Sequence, residues 1–161
     1  MVRDPAGDVG TGGLDATRVS VGRAPDGRIR ASVTMGAPWA PRDLLADSGP
    51  PGSICLRAWL GGRRPSASQP DYLVCATVAA NNERLKASVF RERAGQLPER
   101  VAGASATKPS ARTAVLRFGQ SALGRPAVLR FAVETAPGGC ARLSCVDTAP
   151  DAPRSARVAL R

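Results

Sequence analysis

The chain has 161 residues, 43% hydrophobic and 22% charged, the composition of one globular domain with a single core. Its formal net charge is +10 and it contains no histidine, so Ser-His-Asp and Cys-His nucleophilic arrangements are excluded. No apolar run approaches the roughly 20 residues that a membrane-crossing helix needs, and "MVRDPAGDVG" has neither a hydrophobic signal core nor a small-residue cleavage site.

The first segment, 1–14, reads as an irregular acidic lead-in containing "DPAGDVGTGGLD" from Asp4 to Asp15. Taken as a calcium loop, it would place Asp4, Asp8 and Asp15 where an EF-hand has oxygen ligands. Yet Val9 stands where that loop requires glycine, and strand-like sequence follows where a helix should start. A different calcium site is conceivable, because Asp147 and Asp151 in "CVDTAPDAP" lie near the other terminus and chain ends are often close in a compact domain. The competing reading is that these aspartates favour turns and solubility.

From residue 17 the hydrophobic period is two. In "TRVSVG" Val19 and Val21 alternate with Arg18 and Ser20, and in "GRIRASVTM" Ile29, Ala31 and Val33 alternate with Arg30, Ser32 and Thr34. Between them, "APDGR" offers Pro25 to fix φ and Gly27 to take positive φ, which predicts a hairpin. "SICLRAWLG" and "PDYLVCATV" form a second predicted hairpin around "GRRPSASQP", and "RLKASVFRE" extends it into a meander.

Segment 94–110 reads as loop-rich, with one short strand near Arg100 to Gly103. "TAVLRFG" and "AVLRFAVETA" are further strands, "QSALGRP" between them predicts one helical turn ending at Gly124, and "SARVALR" adds an edge strand. Phe90, Phe118, Phe131 and Trp59 are expected core anchors. The whole predicts one all-β domain over 1–161, an antiparallel β-sandwich of jelly-roll or immunoglobulin-like type with about eight strands. A β-barrel is the alternative.

Cys55 and Cys75 share parity on the two strands of one hairpin, so a register centred on Pro65 sets them opposite each other; Cys140 and Cys145 flank "ARLS". Pairing 55 with 75 and 140 with 145 is favoured over the two long-range connectivities. Structural zinc wants two closely spaced ligand pairs or one with histidines, but Cys55 and Cys75 are twenty residues apart and histidine is absent, so disulfides in an oxidising compartment are preferred over zinc, with reduced thiols as the alternative.

The 21 arginines against only Lys86 and Lys108 fit either the composition of a GC-rich genome and a solvated basic surface, or a polyanion site. For the latter, Arg28, Arg30, Arg57, Arg117 and Arg130 would have to converge on one face. Carboxylates for glycoside hydrolysis exist in Glu83, Glu92, Glu99 and Glu134, but solvent-facing acids on strands are the default.

The order "DPAGDVGTGGLDATRVSV", "GRIRASVTM", "CLRAWLGGRRPSASQPDYLVCATV", "AVLRFGQSALGRPAVLRFAVET" and "CVDTAPDAP" resembles secreted bacterial β-sandwich domains of the DOMON and family 9 carbohydrate-binding-module type. The resemblance implies a jelly-roll-like sandwich, a secreted or cell-surface setting and a noncatalytic role. Sugar-binding members use facing aromatic residues, for which Trp39, Trp59 and Tyr72 are the candidates. Trp39, between prolines, is the best placed as an exposed platform. Haem-binding relatives need axial ligands, and with no histidine and only Met1 and Met35 that branch is disfavoured. The expected function is therefore a disulfide-stabilised, noncatalytic module binding a glycan or cell-surface component, with polyanion binding or a protein interface as alternatives.

Overall fold

A computed structural model describes residues 1–5, 14–61, 69–79, 84–140, 145–151 and 154–160. The strands are β1 (Val2–Arg3), β2 (Ala16–Arg23), β3 (Ile29–Met35), β4 (Ser53–Leu60), β5 (Tyr72–Val78), β6 (Leu85–Arg91), β7 (Glu99–Thr107), β8 (Thr113–Phe118), β9 (Val128–Ala136), β10 (Asp147–Ala149) and β11 (Ala156–Ala159). Every pairing is antiparallel, in the order β1-β2-β3-β8-β7-β6-β5-β4-β9-β10, with β11 following β10 along β9. No described helix is long and apolar enough to cross a membrane.

The hydrogen-bonded path bends back on itself at β7. Residues Glu99 to Ala104 pair with β6, whereas Ser105 to Thr107 pair with β8, so one strand joins the two stretches of the sheet, called its layers below. A register shift at Val89/Phe90 accompanies the bend, as a bulge does when it tightens the local twist. At the far end, Thr135 donates its hydroxyl to the Leu14 carbonyl, and the Asp147 Oδ2 accepts the Ala16 N–H at 2.6 Å. These two bonds join the start of β2 to β9 and β10, so the antiparallel sheet is nearly closed into a barrel.

Alternation decides what lies inside. Ile29, Ala31, Val33 and Met35 of β3 meet Leu116 and Phe118 of β8 from one layer; Ile54, Leu56, Val74, Val89, Phe131 and Val133 face them from the other. Phe118 and Phe131 are core anchors. Phe90 is not: Val89 takes the inward position, so the neighbouring ring lies half-buried on the outer face. Trp59 also belongs to the outer face, where Arg57 covers its ring at 5.4 Å and Nε1 donates to the Gln69 carbonyl at 2.9 Å.

Two predicted boundaries are corrected. Residues 99–107 of the loop-rich segment form a nine-residue strand, in which Val101, Ala102, Ala104 and Ala106 are half-buried and Gly103, Ser105 and Thr107 exposed. Small residues on both faces hide that period from a reading of hydropathy. In the lead-in, Val2 and Arg3 pair with Val19 and Arg18, so its beginning is a strand; residues 6–13 lie outside the described residues. The turn after β8 is a 3-10 helix over Gln120–Leu123, closed by Gly124 in the left-handed region.

Candidate anion-binding face and cleft

The site rests on the outer surface of the β1-β2-β3-β8-β7 layer. Since the odd positions of β3 fill the core, Arg30, Ser32 and Thr34 project outward, and cross-strand register places their neighbours. One row runs Gly22, Arg30, Arg117, Ser105; a second runs Ser20, Ser32, Val115, Thr107; a third runs Arg3, Arg18, Thr34, Thr113. Two pairs of arginines thus stand directly opposite each other, Arg30 with Arg117 and Arg3 with Arg18. Apart from Gly22 and the buried Val115, these rows consist of serine, threonine and arginine and contain no carboxylate. Among the described residues the salt bridges are Arg57–Glu134 at 3.4 Å and Arg93–Glu99 at 3.6 Å, neither of them on this face.

A cleft of about 530 Å³ opens at one end of the face, between the β2–β3 turn and the segment after β8. Its first wall is the predicted hairpin turn: Ala24 donates to the Arg28 carbonyl at 2.8 Å, Gly27 has φ 77°, and Asp26 Oδ1 accepts the Arg28 N–H at 3.0 Å. Arg23 and Arg28 line that wall. Its second wall holds Gln120, Ser121 and Arg125. The Gln120 amide donates to the Pro126 carbonyl at 2.8 Å and the Leu160 carbonyl at 3.4 Å, fixing the wall to the strand that follows and to the C-terminal segment. Arg125, at φ 55°, is the one non-glycine residue with positive φ among the described residues. Arg28 Nη2 donates to the Arg117 carbonyl at 3.5 Å, so cleft and arginine rows are continuous.

Of the five arginines expected to converge, Arg28, Arg30 and Arg117 do. Arg57 and Arg130 lie on the outer face of the opposite layer, on β4 and β9, where Arg57 pairs with Glu134. Arg3, Arg18, Arg23 and Arg125 were missing from the sequence-based set. The parity of Arg18 with Ser20 carried a signal for one of them, but the β1–β2 and β3–β8 pairings that assemble the face are not local.

The aromatic candidates do not offer an open platform. Trp39, Trp59 and Tyr72 are 4%, 9% and 7% exposed. Trp39 joins the core instead of standing on its loop, where its backbone N–H donates to the Ala111 carbonyl at 3.1 Å and Lys108 Nζ lies 5.5 Å from its ring. Tyr72 is an inward residue of β5 with Arg91 5.7 Å from its ring.

The acidic termini do meet, through the Asp147–Ala16 bond next to Asp15. The Asp4 N–H donates to the Thr17 carbonyl, and the Asp151 carbonyl accepts the Arg154 N–H; Asp8 lies outside the described residues. Among the described residues, no group of three or more carboxylates, cysteines or histidines is placed to hold a metal ion. The cysteines form Cys55–Cys75, a directly opposed cross-strand pair with Cα atoms 4.0 Å apart, and Cys140–Cys145, at 5.8 Å. Comparison of the chain with family models, curated proteins and solved structures finds no match.

Proposed function

We propose that this chain is a noncatalytic, disulfide-stabilised β module of an exported or cell-surface protein, and that it binds acidic polysaccharide through the arginine rows and the adjoining cleft. The observation that carries the reading is the opposition of Arg30 to Arg117 and of Arg3 to Arg18 in outward rows whose described residues include no carboxylate. Like charges directly across a strand pair are unfavourable for the free protein, whereas an anionic chain laid along them removes the repulsion. Two disulfides support an oxidising setting, which favours a wall or matrix glycan over nucleic acid. The resemblance to DOMON and family 9 carbohydrate-binding domains supports the glycan class and a sandwich-like arrangement of the two layers. The burial of Trp39, Trp59 and Tyr72 favours recognition by charge over aromatic stacking.

Retention on immobilised polygalacturonate and heparin, compared with neutral xylan and duplex DNA, tests the proposal. Acidic polysaccharide is expected to bind in a salt-sensitive manner, xylan to fail, and R30Q/R117Q to weaken retention. Equal binding of DNA and both acidic polysaccharides would leave only nonspecific charge attraction. No retention of the native protein at low salt would overturn the reading.

A further inference from the structure

The rows are flat and repetitive, suited to a chain passing over them; the cleft at their end is concave and built differently. Resting on the polysaccharide reading above, we infer that this cleft is a subsite for one oxyanion-bearing sugar unit at the end of an acidic chain. It is an open cleft of about 530 Å³, roomy enough to seat one sugar unit against its walls.

Charge in the cleft is unbalanced. Among the described residues, Arg23, Arg28 and Arg125 line it against a single carboxylate, Asp26, whose Oδ1 accepts the Arg28 N–H within the turn. None of the three arginines takes part in a salt bridge among the described residues. Guanidinium groups bind carboxylate, sulfate and phosphate alike, because their N–H groups match two oxygens at once. The exposed Ala127 gives the same cleft a small apolar contact for the C–H surface of a sugar ring.

The backbone points the same way. At Gly124 the left-handed conformation costs nothing, but the next residue, at φ 55°, is arginine, where a Cβ makes that conformation unfavourable. Folding alone would prefer glycine there, so it is the side chain that accounts for the residue. The wall is also held in advance of any ligand: Gln120 bonds the Pro126 and Leu160 carbonyls, and the Arg125 N–H donates to the Gln120 carbonyl at 3.0 Å. A wall fixed in this way loses little freedom on binding.

The test is an amide chemical-shift titration of the whole chain with methyl glucuronide, glucose 6-sulfate, glucose 6-phosphate and uncharged methyl glucoside. The three acids are expected to shift amides in 23–28 and 119–127, and their relative affinities identify the preferred oxyanion; methyl glucoside is expected to have no effect. R125G removes a guanidinium while keeping the backbone conformation, and it is expected to weaken the preferred acid about tenfold or more. R157Q, on β11, serves as a charge control and leaves binding unchanged. Acid binding unaffected by R125G, or shifts confined to other regions, would overturn the subsite. Retention on polygalacturonate without small-acid binding refutes the cleft and leaves the face standing. Small-acid binding in the cleft without polymer retention refutes the face instead.

Discussion

The closure between Asp147 and Ala16 makes the sharpest stability prediction. Ala16 is wholly buried, and its N–H donates to Asp147 Oδ2 at 2.6 Å, a charge-assisted bond from the start of β2 to β10. Asp147→Ala leaves that N–H buried without this acceptor, at about 1–3 kcal/mol. It also relieves the cost of burying a carboxylate, which offsets part of the loss. The orphaned N–H should win, because the backbone of β2 is held in place by its register with β3, and the net loss is expected near 2 kcal/mol. Asp147→Asn retains an acceptor and should lose about half as much. Thr135→Val removes the neighbouring bond to the Leu14 carbonyl and is expected to cost about 1 kcal/mol. The double variant should lose less than the sum, since both bonds close the same junction. Urea unfolding gives each difference, and amide hydrogen exchange at Ala16 should accelerate in Asp147→Ala. If that variant lies within about 0.5 kcal/mol of the native protein, with exchange at Ala16 unchanged, the junction does not hold the two layers together.

Replacing Cys55 and Cys75 by alanine should cost about 3 kcal/mol in thermal or urea unfolding, as expected for releasing a loop with a sequence separation of 20. The fold should persist in that variant, because the flanking pairs Leu56–Val74 and Ala58–Tyr72 remain. Gly138→Ala should be among the most damaging single changes, by about 3 kcal/mol or more, because an added Cβ would lie 1.7 Å from the Leu45 carbonyl oxygen; a melting temperature close to native would refute it. Arg125→Gly should raise stability by about 0.5–1 kcal/mol while it weakens acid binding, a trade visible by unfolding and titration on one sample. R30Q/R117Q should stabilise the free protein by a few tenths of a kcal/mol at low salt, with the gain disappearing near 1 M salt.

Much of the architecture was legible because it is local. The β2–β3 hairpin follows from alternating Val19, Ile29, Ala31 and Val33 with Pro25 and Gly27 between them, and Gly27 has the expected positive φ. Equal parity around one turn was enough to place Cys55 opposite Cys75. Of β7 only the part near Arg100 to Gly103 was anticipated, because alanine inside and glycine or serine outside leave hydropathy nearly flat, although burial alternates strictly from Ala102 to Thr107. β1 and β10, two and three residues long, are too short for any period to show. Trp39 was misplaced for another reason. Neighbouring prolines announce a loop, but a loop can fold inward over the open end of a sheet, and the bond from Trp39 to Ala111 does that. The arginine face depends on β3 pairing with β8 across more than eighty residues of chain, and no spacing in the sequence announces that partner.

A basic composition alone does not explain where the arginines stand. If a general bias toward arginine had filled solvent positions without regard to place, acids would accompany arginines on both layers. On the β4–β9 layer two of them do, Arg57 bonding Glu134 and Arg93 bonding Glu99, although Arg130 there also stands opposite Arg157. On the opposite layer the outward positions of β2, β3 and β8 carry Arg18, Arg30 and Arg117 among serines and threonines, with no carboxylate between them. A glutamate in place of Ser32 or Thr34 would suit the strand equally well and relieve the repulsion. Its absence beside two opposed arginine pairs, next to a cleft where an arginine takes a conformation better suited to glycine, marks two departures from what folding prefers. Both lie on one continuous surface and favour the same kind of ligand, an anion. That coincidence, more than the net charge of +10, is the reason to look for an acidic glycan there.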